Sequence, residues 1–227
     1  MTDPLSISAW STPATVAQFA GSAPNRTLMR YAALERRRGG RVAIDIGCGA
    51  GRNALPLAAA GWHVLGVDLS GPMLAGALDR VRRERRAGRL ALALARMEQL
   101  PARDRGVDLI VAHGIWNLAR SVAQFRRAVR EAARAAARGA ALFVFTFSRA
   151  TLPADLLPVS GEPFVFTQFS GEPQCFLTET QLLGELRDAG FVPDPALPLT
   201  ELNRPPARAL RIGGPPVIYE GAFRYGS

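Results

Sequence analysis

The chain has 227 residues, of which 48% are hydrophobic, and its formal charge at pH 7 is +9. This length suits one globular domain with a large core, and no stretch is long and uniformly apolar enough to span a bilayer. All 28 basic residues are arginine because the sequence contains no lysine, so a GC-rich coding bias accounts for the basicity without an anionic partner, and nucleic acid is not the expected partner.

The two cysteines argue against disulfide and metal frameworks. Cys48 and Cys175 lie far apart in the sequence, so neither a disulfide framework nor a cysteine metal site is indicated. The first arginine is Arg26, and no basic segment leads into an apolar run near the N-terminus, so we expect no secretory signal. Together these features predict a reducing, cytoplasmic location.

The first 39 residues are predicted to form a helical cap. Short helices are expected over Thr12–Phe19 and Asn25–Arg38. Asn25 precedes the apolar positions of the second helix and is its expected N-cap.

Strands and helices then alternate with short connections. The predicted strands are Arg41–Ile46, Trp62–Asp68, Leu90–Ala95, Val107–Ala112 and Ala140–Phe147. The predicted helices are Asn53–Ala60, Pro72–Arg86 and Val122–Ala137, the last ended by Gly139. This order indicates an α/β fold with a doubly wound, Rossmann-like, mostly parallel sheet and helices on both faces. Ligands are expected at the carboxyl ends of the strands.

The alternation ends after Phe147. Ser148–Leu177 is rich in Pro, Gly and Phe, and is predicted to be a lid or substrate insertion. A capped helix is expected from Thr178 to Gly190, followed by the proline-rich connection Pro193–Pro216 and a last, antiparallel strand. The whole chain is therefore interpreted as one domain, with a core over 41–147 and a C-terminal part over 178–227.

A glycine-rich loop follows the first predicted strand. Gly47, Gly49 and Gly51 allow a sharp turn and a close approach to a ligand, which a Cβ would block. Asp68 ends the next strand, where an acid accepts hydrogen bonds from the two hydroxyls of a ribose. An adenosine-type ligand is thus indicated. A nicotinamide dehydrogenase is disfavoured, because its fingerprint needs a third glycine where this sequence has Arg52.

The loop has the form D-x-G-x-G-x-G over Asp45–Gly51, which resembles the first motif of the class I S-adenosylmethionine-dependent methyltransferases. The likeness extends over Arg41–Phe147 and includes "ARMEQLP" after the third strand and "VDLIVAHGIWNL" on the fourth. "GCGAGRN" looks most like the small-molecule methyltransferases of the tellurite-resistance type. The resemblance implies S-adenosylmethionine as cofactor and a small-molecule acceptor.

The resemblance also implies a set of residues around the cofactor. These are Asp45, Gly47, Cys48, Gly49, Gly51, Asp68, Leu69, Met73, Met97, Glu98 and His113. The family commonly has an aspartate after the third strand that binds the adenine amino group, but this sequence has Arg96 there. Backbone groups around Met97, or the side chain of Glu98, are the alternatives for adenine recognition.

Methyl transfer from a sulfonium is a direct displacement, so the protein mainly aligns the acceptor and excludes water. A general base helps when the acceptor arrives protonated, and His113, just after the fourth strand, is the candidate. The alternative is that His113 only packs against the pocket. Trp10, Trp116 and Phe166 are predicted to border the acceptor.

Two other functions stay open at this point. A nucleic-acid (RNA) methyltransferase would use the positive charge, but enzymes that methylate amino groups typically carry a Pro-Pro-aromatic motif where this sequence reads "AHGIW". A non-catalytic module that binds the cofactor would account for Arg96. An arsenite-type methyltransferase is disfavoured, because the two cysteines cannot supply its cysteine set.

Overall fold

A computed structural model describes residues 11–84, 89–204 and 215–226 of the chain. The helices are α1 Pro13–Gly21, α2 Arg26–Arg37, α3 Ala54–Ala59, α4 Gly71–Glu84, α5 Val122–Ala135 and α6 Glu179–Asp188. The strands are β1 Val42–Ile46, β2 His63–Asp68, β3 Leu90–Leu94, β4 Val107–His113, β5 Ala136–Phe147, β6 Val165–Phe166, β7 Gln174–Cys175, β8 Phe191–Pro193, β9 Thr200–Leu202 and β10 Ile218–Tyr225.

The main sheet has the order β3-β2-β1-β4-β5-β10-β8, with β9 also paired to β10. The first five of these strands are parallel to their neighbours, and β10 is antiparallel to β5. The prediction of a mostly parallel, doubly wound sheet with an antiparallel last strand is confirmed. The order of the strands in the sheet reverses between β1 and β4, which are parallel neighbours. The carboxyl ends of both strands therefore lie beside the loop after β1, where such folds bind ligands.

Alternate residues of the strands point to two separate apolar layers. On one face, Phe125 of α5 and Leu182 of α6 pack with Ile110 and Leu142. On the other face, α2 and α3 pack with the alternate residues of β4 and β5, such as Phe143. Helices therefore cover both faces of the sheet, as the alternation of elements predicts.

The N-terminal helices are attached to the core by specific contacts. Asn25 is the N-cap of α2, because its side chain accepts a hydrogen bond from the backbone N–H of Leu28 across 2.9 Å. Further along α2, the hydroxyl of Tyr31 donates to Asp194 across 2.6 Å, and Arg224 of β10 pairs with the same carboxylate. These bonds fix α2 over the sheet.

The structure corrects two of the predicted boundaries. Helix α5 ends at Ala135, two residues before the predicted end, and β5 begins at once. Gly139 does not stop the helix: it lies within β5 with a φ angle of 74°, where the register of β4 against β5 shifts. The predicted connection Pro193–Pro216 also contains a short strand, β9, because its residues pair with the exposed side of β10.

The segment between β5 and α6 is packed onto the core. Its short strands β6 and β7 pair with each other, and Phe164 and Cys175 are buried in the same layer as α5. A second, small cluster contains Phe166 and Phe176. In the part of the chain that the structure describes, no helix is long and apolar enough to cross a membrane.

Candidate active site

The loop after β1 folds back onto the end of β2. Its glycines, Gly47, Gly49 and Gly51, have φ angles of 72°, 52° and 77°. The backbone N–H groups of Gly47 and Cys48 both donate to the carbonyl of Val67, across 2.8 and 2.9 Å. Left-handed backbone is costly for a residue with a Cβ, so the path of this loop requires glycine at all three positions.

The space around each glycine differs. A Cβ at Gly47 would lie 2.7 Å from a carbon of Ile115, and one at Gly51 would lie 2.0 Å from a methyl carbon of α3. These two glycines therefore serve internal packing, which differs from the expectation that all three admit a ligand. A Cβ at Gly49 would meet nothing nearer than the sulfur of Met73, at 3.8 Å. Gly49 is thus the point of the loop that a ligand can approach.

Asp68 is the last residue of β2 and is half-buried beside this loop. Its Oδ2 atom accepts the backbone N–H of Gly49 across 2.8 Å, and its Oδ1 atom accepts that of Ser70 across 2.9 Å. These two bonds orient the carboxylate of Asp68 beside the glycine loop. The arrangement suits the paired hydroxyls of a ribose.

Asp45 lies under the loop and is 2% exposed. Its Oδ2 atom has no hydrogen-bond partner among the described residues. Burial and the negative charge of Asp68 raise the pKa of Asp45 to about 7, although the backbone of Ala54 and the charge of Arg52 act in the opposite direction. A buried carboxylate oxygen without a partner is costly, and a ligand's ammonium group would compensate it.

Residues 96–98 follow β3, next to the end of β2. Met97 is buried, Glu98 is half-buried and Arg96 is exposed. One oxygen of Glu98 accepts the side-chain amide of Gln124 across 3.0 Å, whereas Oε2 is buried and lacks a partner in the described structure. Of the alternatives for adenine recognition, Glu98 therefore offers an acceptor for an exocyclic amino group.

Three further predicted cofactor residues are half-buried or buried near the loop. Leu69 follows Asp68 and is half-buried, and Met73 is 2% exposed in the first turn of α4. Cys48 is also buried, and burial raises the pKa of its thiol well above the ordinary value. Cys48 is accordingly a packing residue and not a nucleophile.

His113 is the last residue of β4, at the same edge of the sheet. Its ring stacks on Phe145, with ring centroids 4.2 Å apart and an interplanar angle of 8°. Burial, helped by the positive charge of Arg52, lowers the pKa of His113 to about 4. The imidazole is therefore neutral near pH 7, where it can accept a hydrogen bond or a proton.

Asn25 and Glu220 join His113 in a network that the sequence did not reveal. The side-chain amide nitrogen of Asn25 donates to Oε2 of Glu220 across 2.7 Å and lies 3.3 Å from Nε2 of His113. Because an amide nitrogen only donates, Nε2 of His113 is the acceptor and the ring proton is on Nδ1. The sequence features that could have indicated this network are the N-cap asparagine, Asn25, and the single acidic residue of an apolar strand, Glu220.

The sheet register explains why these side chains meet. His113 of β4 pairs with Phe145 of β5, which pairs in turn with Glu220 of β10. Directly paired residues point to the same face, so the three side chains form one line at the carboxyl edge of the sheet. Glu220 is 7% exposed, so this line places a second buried titratable side chain near His113.

The predicted acceptor residues are placed differently. Trp10 lies outside the described residues. Trp116 is buried after β4, with its ring centroid 6.1 Å from that of Phe125, and its Nε1 atom has no partner among the residues described. Phe166 is buried with Phe176 beneath the guanidinium of Arg149. Their contact with an acceptor stays a prediction.

The structure therefore brings together the glycine loop, Asp45, Asp68, the end of β3 and His113, because all of them end parallel strands at one edge. A separate groove of about 350 Å³ lies between α4 and β3. It contains none of the predicted site residues and is lined by Leu74, Ala75, Leu78, Val81, Leu90 and Leu92.

Comparison with known families gives one match along the sequence. Residues 43–139 match a family described as a methyltransferase domain. No curated protein matches the chain.

Many solved structures share the fold. The (4+2)-cyclase SpnF is 25% identical, with a TM-score of 0.60 over 81% of this chain, and the chain spans 64% of SpnF. A SAM-dependent methyltransferase from Methanosarcina mazei is 20% identical, with a TM-score of 0.68 and coverage of 90% of this chain and 99% of that one. The 1,6-didemethyltoxoflavin-N1-methyltransferase of Burkholderia thailandensis was solved with bound 1,6-didemethyltoxoflavin and S-adenosylhomocysteine. It is 18% identical, with a TM-score of 0.64, and the match covers 89% of this chain and 80% of that one.

Proposed function

We propose, on the premise that this chain carries a class I methyltransferase domain and uses S-adenosylmethionine, that it methylates a small-molecule acceptor by direct in-line displacement. The observation that carries the proposal is a group that we call the cradle, formed by Gly49, Asp68 and Asp45. Gly49 has room for a Cβ and donates its N–H to Asp68, and Oδ2 of Asp45 is buried without a partner among the described residues. When bound, the cofactor supplies an electrophilic methyl group on a sulfonium.

The residues of the cradle fit this cofactor in charge and shape. Asp68 would accept the ribose hydroxyls, and the backbone at Gly49 would allow the amino acid end to pass. Asp45 would receive the ammonium group, which offsets the cost of its burial. Glu98 would accept the adenine amino group in place of the aspartate that Arg96 replaces. The contacts together fix the cofactor along the carboxyl edge of the sheet.

His113 is assigned to the acceptor. Its neutral imidazole would accept a proton from a hydroxyl, phenol or thiol as the acceptor's electron pair forms the bond to carbon. The stack on Phe145 and the bond from Asn25 hold the ring in one orientation. Proton transfer then requires the acceptor to replace the Asn25 amide at Nε2, the one ring nitrogen that carries no proton. Such preorganisation favours alignment of the nucleophile with the methyl group.

Small acceptors are favoured by the enclosure of this edge. The N-terminal segment is bonded to the glycine loop, because Arg52 donates to the carbonyl of Ala23 across 2.6 Å and Asn53 accepts the N–H of Asn25 across 3.0 Å. The Burkholderia neighbour is named for methylation of a small heterocycle. Buried, free cysteines also agree with the proposed cytoplasmic location.

Methyl-tritiated S-adenosylmethionine tests the proposal directly. The protein is incubated with separate pools of small phenols, thiols and nitrogen heterocycles, and with total RNA, and label is counted in each extracted product. Transfer to a small-molecule pool is expected. Label in RNA alone would overturn the small-molecule assignment. Cofactor binding without any labelled product would favour a non-methylating use of the fold, as the name of the cyclase SpnF illustrates.

A further inference from the structure

The amino ends of the five parallel strands form a second edge, opposite the candidate active site. Strands β1, β3, β4 and β5 all begin there. An arginine lies at or close to the start of each of these strands. We define the arginine row as Arg36, Arg41, Arg83, Arg89, Arg103 and Arg138.

Three members of the row are held close together. Arg36 and Arg41 both donate to the carbonyl of Gly40, the latter across 3.1 Å, and Arg89 donates to the carbonyl of Gly61 across 2.7 Å. A Cβ placed at Gly61 would lie 3.4 Å from Nη2 of Arg36 and 3.5 Å from Nη1 of Arg89. Both guanidinium groups therefore border the same small space, and backbone carbonyls fix their positions.

In the described structure, none of the six side chains of the arginine row forms an ion pair. The acids at this edge are engaged elsewhere, since Glu35 and Asp194 pair with Arg224, and Asp104 pairs with Arg134.

Asp108 is a further acid that is bonded to this edge. Its Oδ2 atom accepts the backbone N–H groups of Arg41 and Val42, across 2.8 and 2.9 Å. Its carboxylate thus caps the start of β1 and forms no ion pair with a described arginine side chain. Like charges fixed so closely repel one another unless an anion binds between them.

We propose that the arginine row binds the phosphodiester backbone of duplex nucleic acid, independently of sequence. Arginine offers two parallel donors to a phosphate, and the row follows five adjacent strands, which at about 4.8 Å per strand spans roughly 20 Å. That length accommodates several backbone phosphates, because a duplex carries one charge per about 1.7 Å of its axis.

The neighbourhood of the row favours a duplex over a membrane or a single strand. Trp62 lies beneath Arg36, with the guanidinium carbon 5.6 Å from the ring centre, and it is fully buried. Phe169 is the one exposed phenylalanine, tyrosine or tryptophan ring in the described chain, and it lies in the segment after β5, at the other edge of the sheet. The imidazole of His63, at the start of β2, is exposed at the same edge as the row. Beside the row there is therefore no exposed tryptophan, tyrosine or phenylalanine among the described residues, the rings that stack on the bases of single strands or insert into lipid.

This surface is separate from the proposed methyl transfer. Strand β4 has seven residues, so its two ends lie roughly 20 Å apart at about 3.3 Å per residue. A duplex on the arginine row would not reach His113 at the other end of β4. Nucleic acid is thus proposed as a tether for the protein and not as its methyl acceptor.

Fluorescence anisotropy with a labelled 20-base-pair duplex of arbitrary sequence tests the proposal over 50 to 200 mM salt. The triple variant Arg36→Gln, Arg41→Gln, Arg89→Gln is expected to weaken binding at least tenfold. Its plot of log affinity against log salt should become shallower by about 2 to 3, because each lost phosphate contact removes about 0.9 from the slope. Thermal unfolding checks that the variant folds.

A matched triple variant removes the same charge elsewhere. Arg26→Gln, Arg96→Gln, Arg127→Gln changes exposed arginines outside the row and is expected to leave affinity within about threefold. If the first variant does not fold, Arg37→Gln, Arg83→Gln, Arg103→Gln changes exposed side chains at the same edge and should reproduce the loss. Equal losses in row and control variants, no binding at 50 mM salt, or tighter binding to vesicles of anionic phospholipid would overturn the proposal.

Discussion

The carboxylate of Asp68 accepts the backbone N–H of Gly49, with 2.8 Å between Oδ2 and the nitrogen. This bond joins the end of β2 to the loop after β1, so Asp68 and Gly49 lie side by side. The glycine loop and the acid thus form one site, although 19 residues separate them in the chain.

Gly49→Ala should separate the cost of backbone strain from the loss of ligand access. Its left-handed φ angle of 52° predicts a loss of about 1–2 kcal/mol in the free energy of unfolding. Binding of S-adenosylhomocysteine should weaken by more than tenfold, because the new methyl group enters the open side of the loop. Gly139→Ala is the control, since Gly139 has a φ angle of 74° and open space but lies far from the site. Equal affinities of the two variants, measured by calorimetry, would contradict the assignment.

Cofactor binding is expected to depend on pH through the ionisation of Asp45. Its pKa of about 7 means that the carboxylate is mostly protonated at pH 6 and mostly ionised at pH 8. A bound ammonium group favours the ionised form, so affinity for S-adenosylhomocysteine should tighten by up to about tenfold over this range. Calorimetry in buffers of different ionisation enthalpy should show proton release on binding near pH 6.

Asp45→Asn provides the matched comparison for this pH dependence. The amide cannot ionise, so its affinity should be weaker than that of the parent at pH 8 and nearly constant between pH 6 and 8. If the affinity of the parent protein for S-adenosylhomocysteine does not change between pH 6 and 8, Asp45 does not bind the ammonium group as proposed.

His113→Ala should reduce methyl transfer far more than cofactor binding. With whichever acceptor in the screen is methylated, turnover is expected to fall by about 100-fold, while affinity for S-adenosylhomocysteine changes by less than about threefold. Because the pKa of His113 is about 4, the parent rate should show no inflection near pH 6.5 from this residue. His63→Ala is the control, since His63 is exposed at the other end of the sheet. Equal turnover of His113→Ala and the parent would remove the proposed role.

Arg224 is expected to hold α2 onto the sheet. It pairs with Glu35 across 2.7 Å and with Asp194 across 2.6 Å, and its side chain is 18% exposed. Arg224→Met would leave two buried carboxylates poorly compensated, at a cost of about 3 kcal/mol in urea denaturation. Arg126→Met breaks a pair with Glu185 whose arginine is 51% exposed, and should cost less than about 1 kcal/mol.

The same network predicts a loss of stability in acid. Burial would raise the pKa of Asp194, but hydrogen bonds from Tyr31 and Arg224 lower it overall. Its contribution is therefore complete above the ordinary pKa of 3.8 and is lost as the pH falls through the lower folded value. The stability difference between the parent and Arg224→Met should shrink below pH 4, and a difference that is constant down to pH 2 would contradict this origin.

The parts of the fold that were predictable are those with a local signal. Alternating apolar runs gave the parallel strands, and Asn25 and Thr178 cap the helices expected after them. The end of α5 was misplaced because Gly139 has the same left-handed geometry in a strand irregularity as in a helix stop. A local pattern does not distinguish these two uses of glycine.

The candidate site also contains residues that a local sequence signal could predict and residues that only the tertiary structure brings together. The glycines and Asp68 belong to one strand-loop-strand unit, so their spacing predicted that they lie together, and the resemblance to a family motif added Asp45. Asn25 meets His113 across 88 residues and Glu220 across 195, and only the pairing of β10 with β5 brings Glu220 to this edge. The arginine row likewise depends on strand order, because its members come from separate loops.

Isothermal calorimetry with S-adenosylmethionine, S-adenosylhomocysteine and NAD, on the parent protein and on Asp68→Ala, tests the central claim most directly. We predict micromolar binding of the first two ligands, no binding of NAD, and at least about 100-fold weaker binding by a folded Asp68→Ala variant, equivalent to about 2.7 kcal/mol. Absence of binding by the parent protein, or unchanged affinity in the variant, would contradict the assignment of this site.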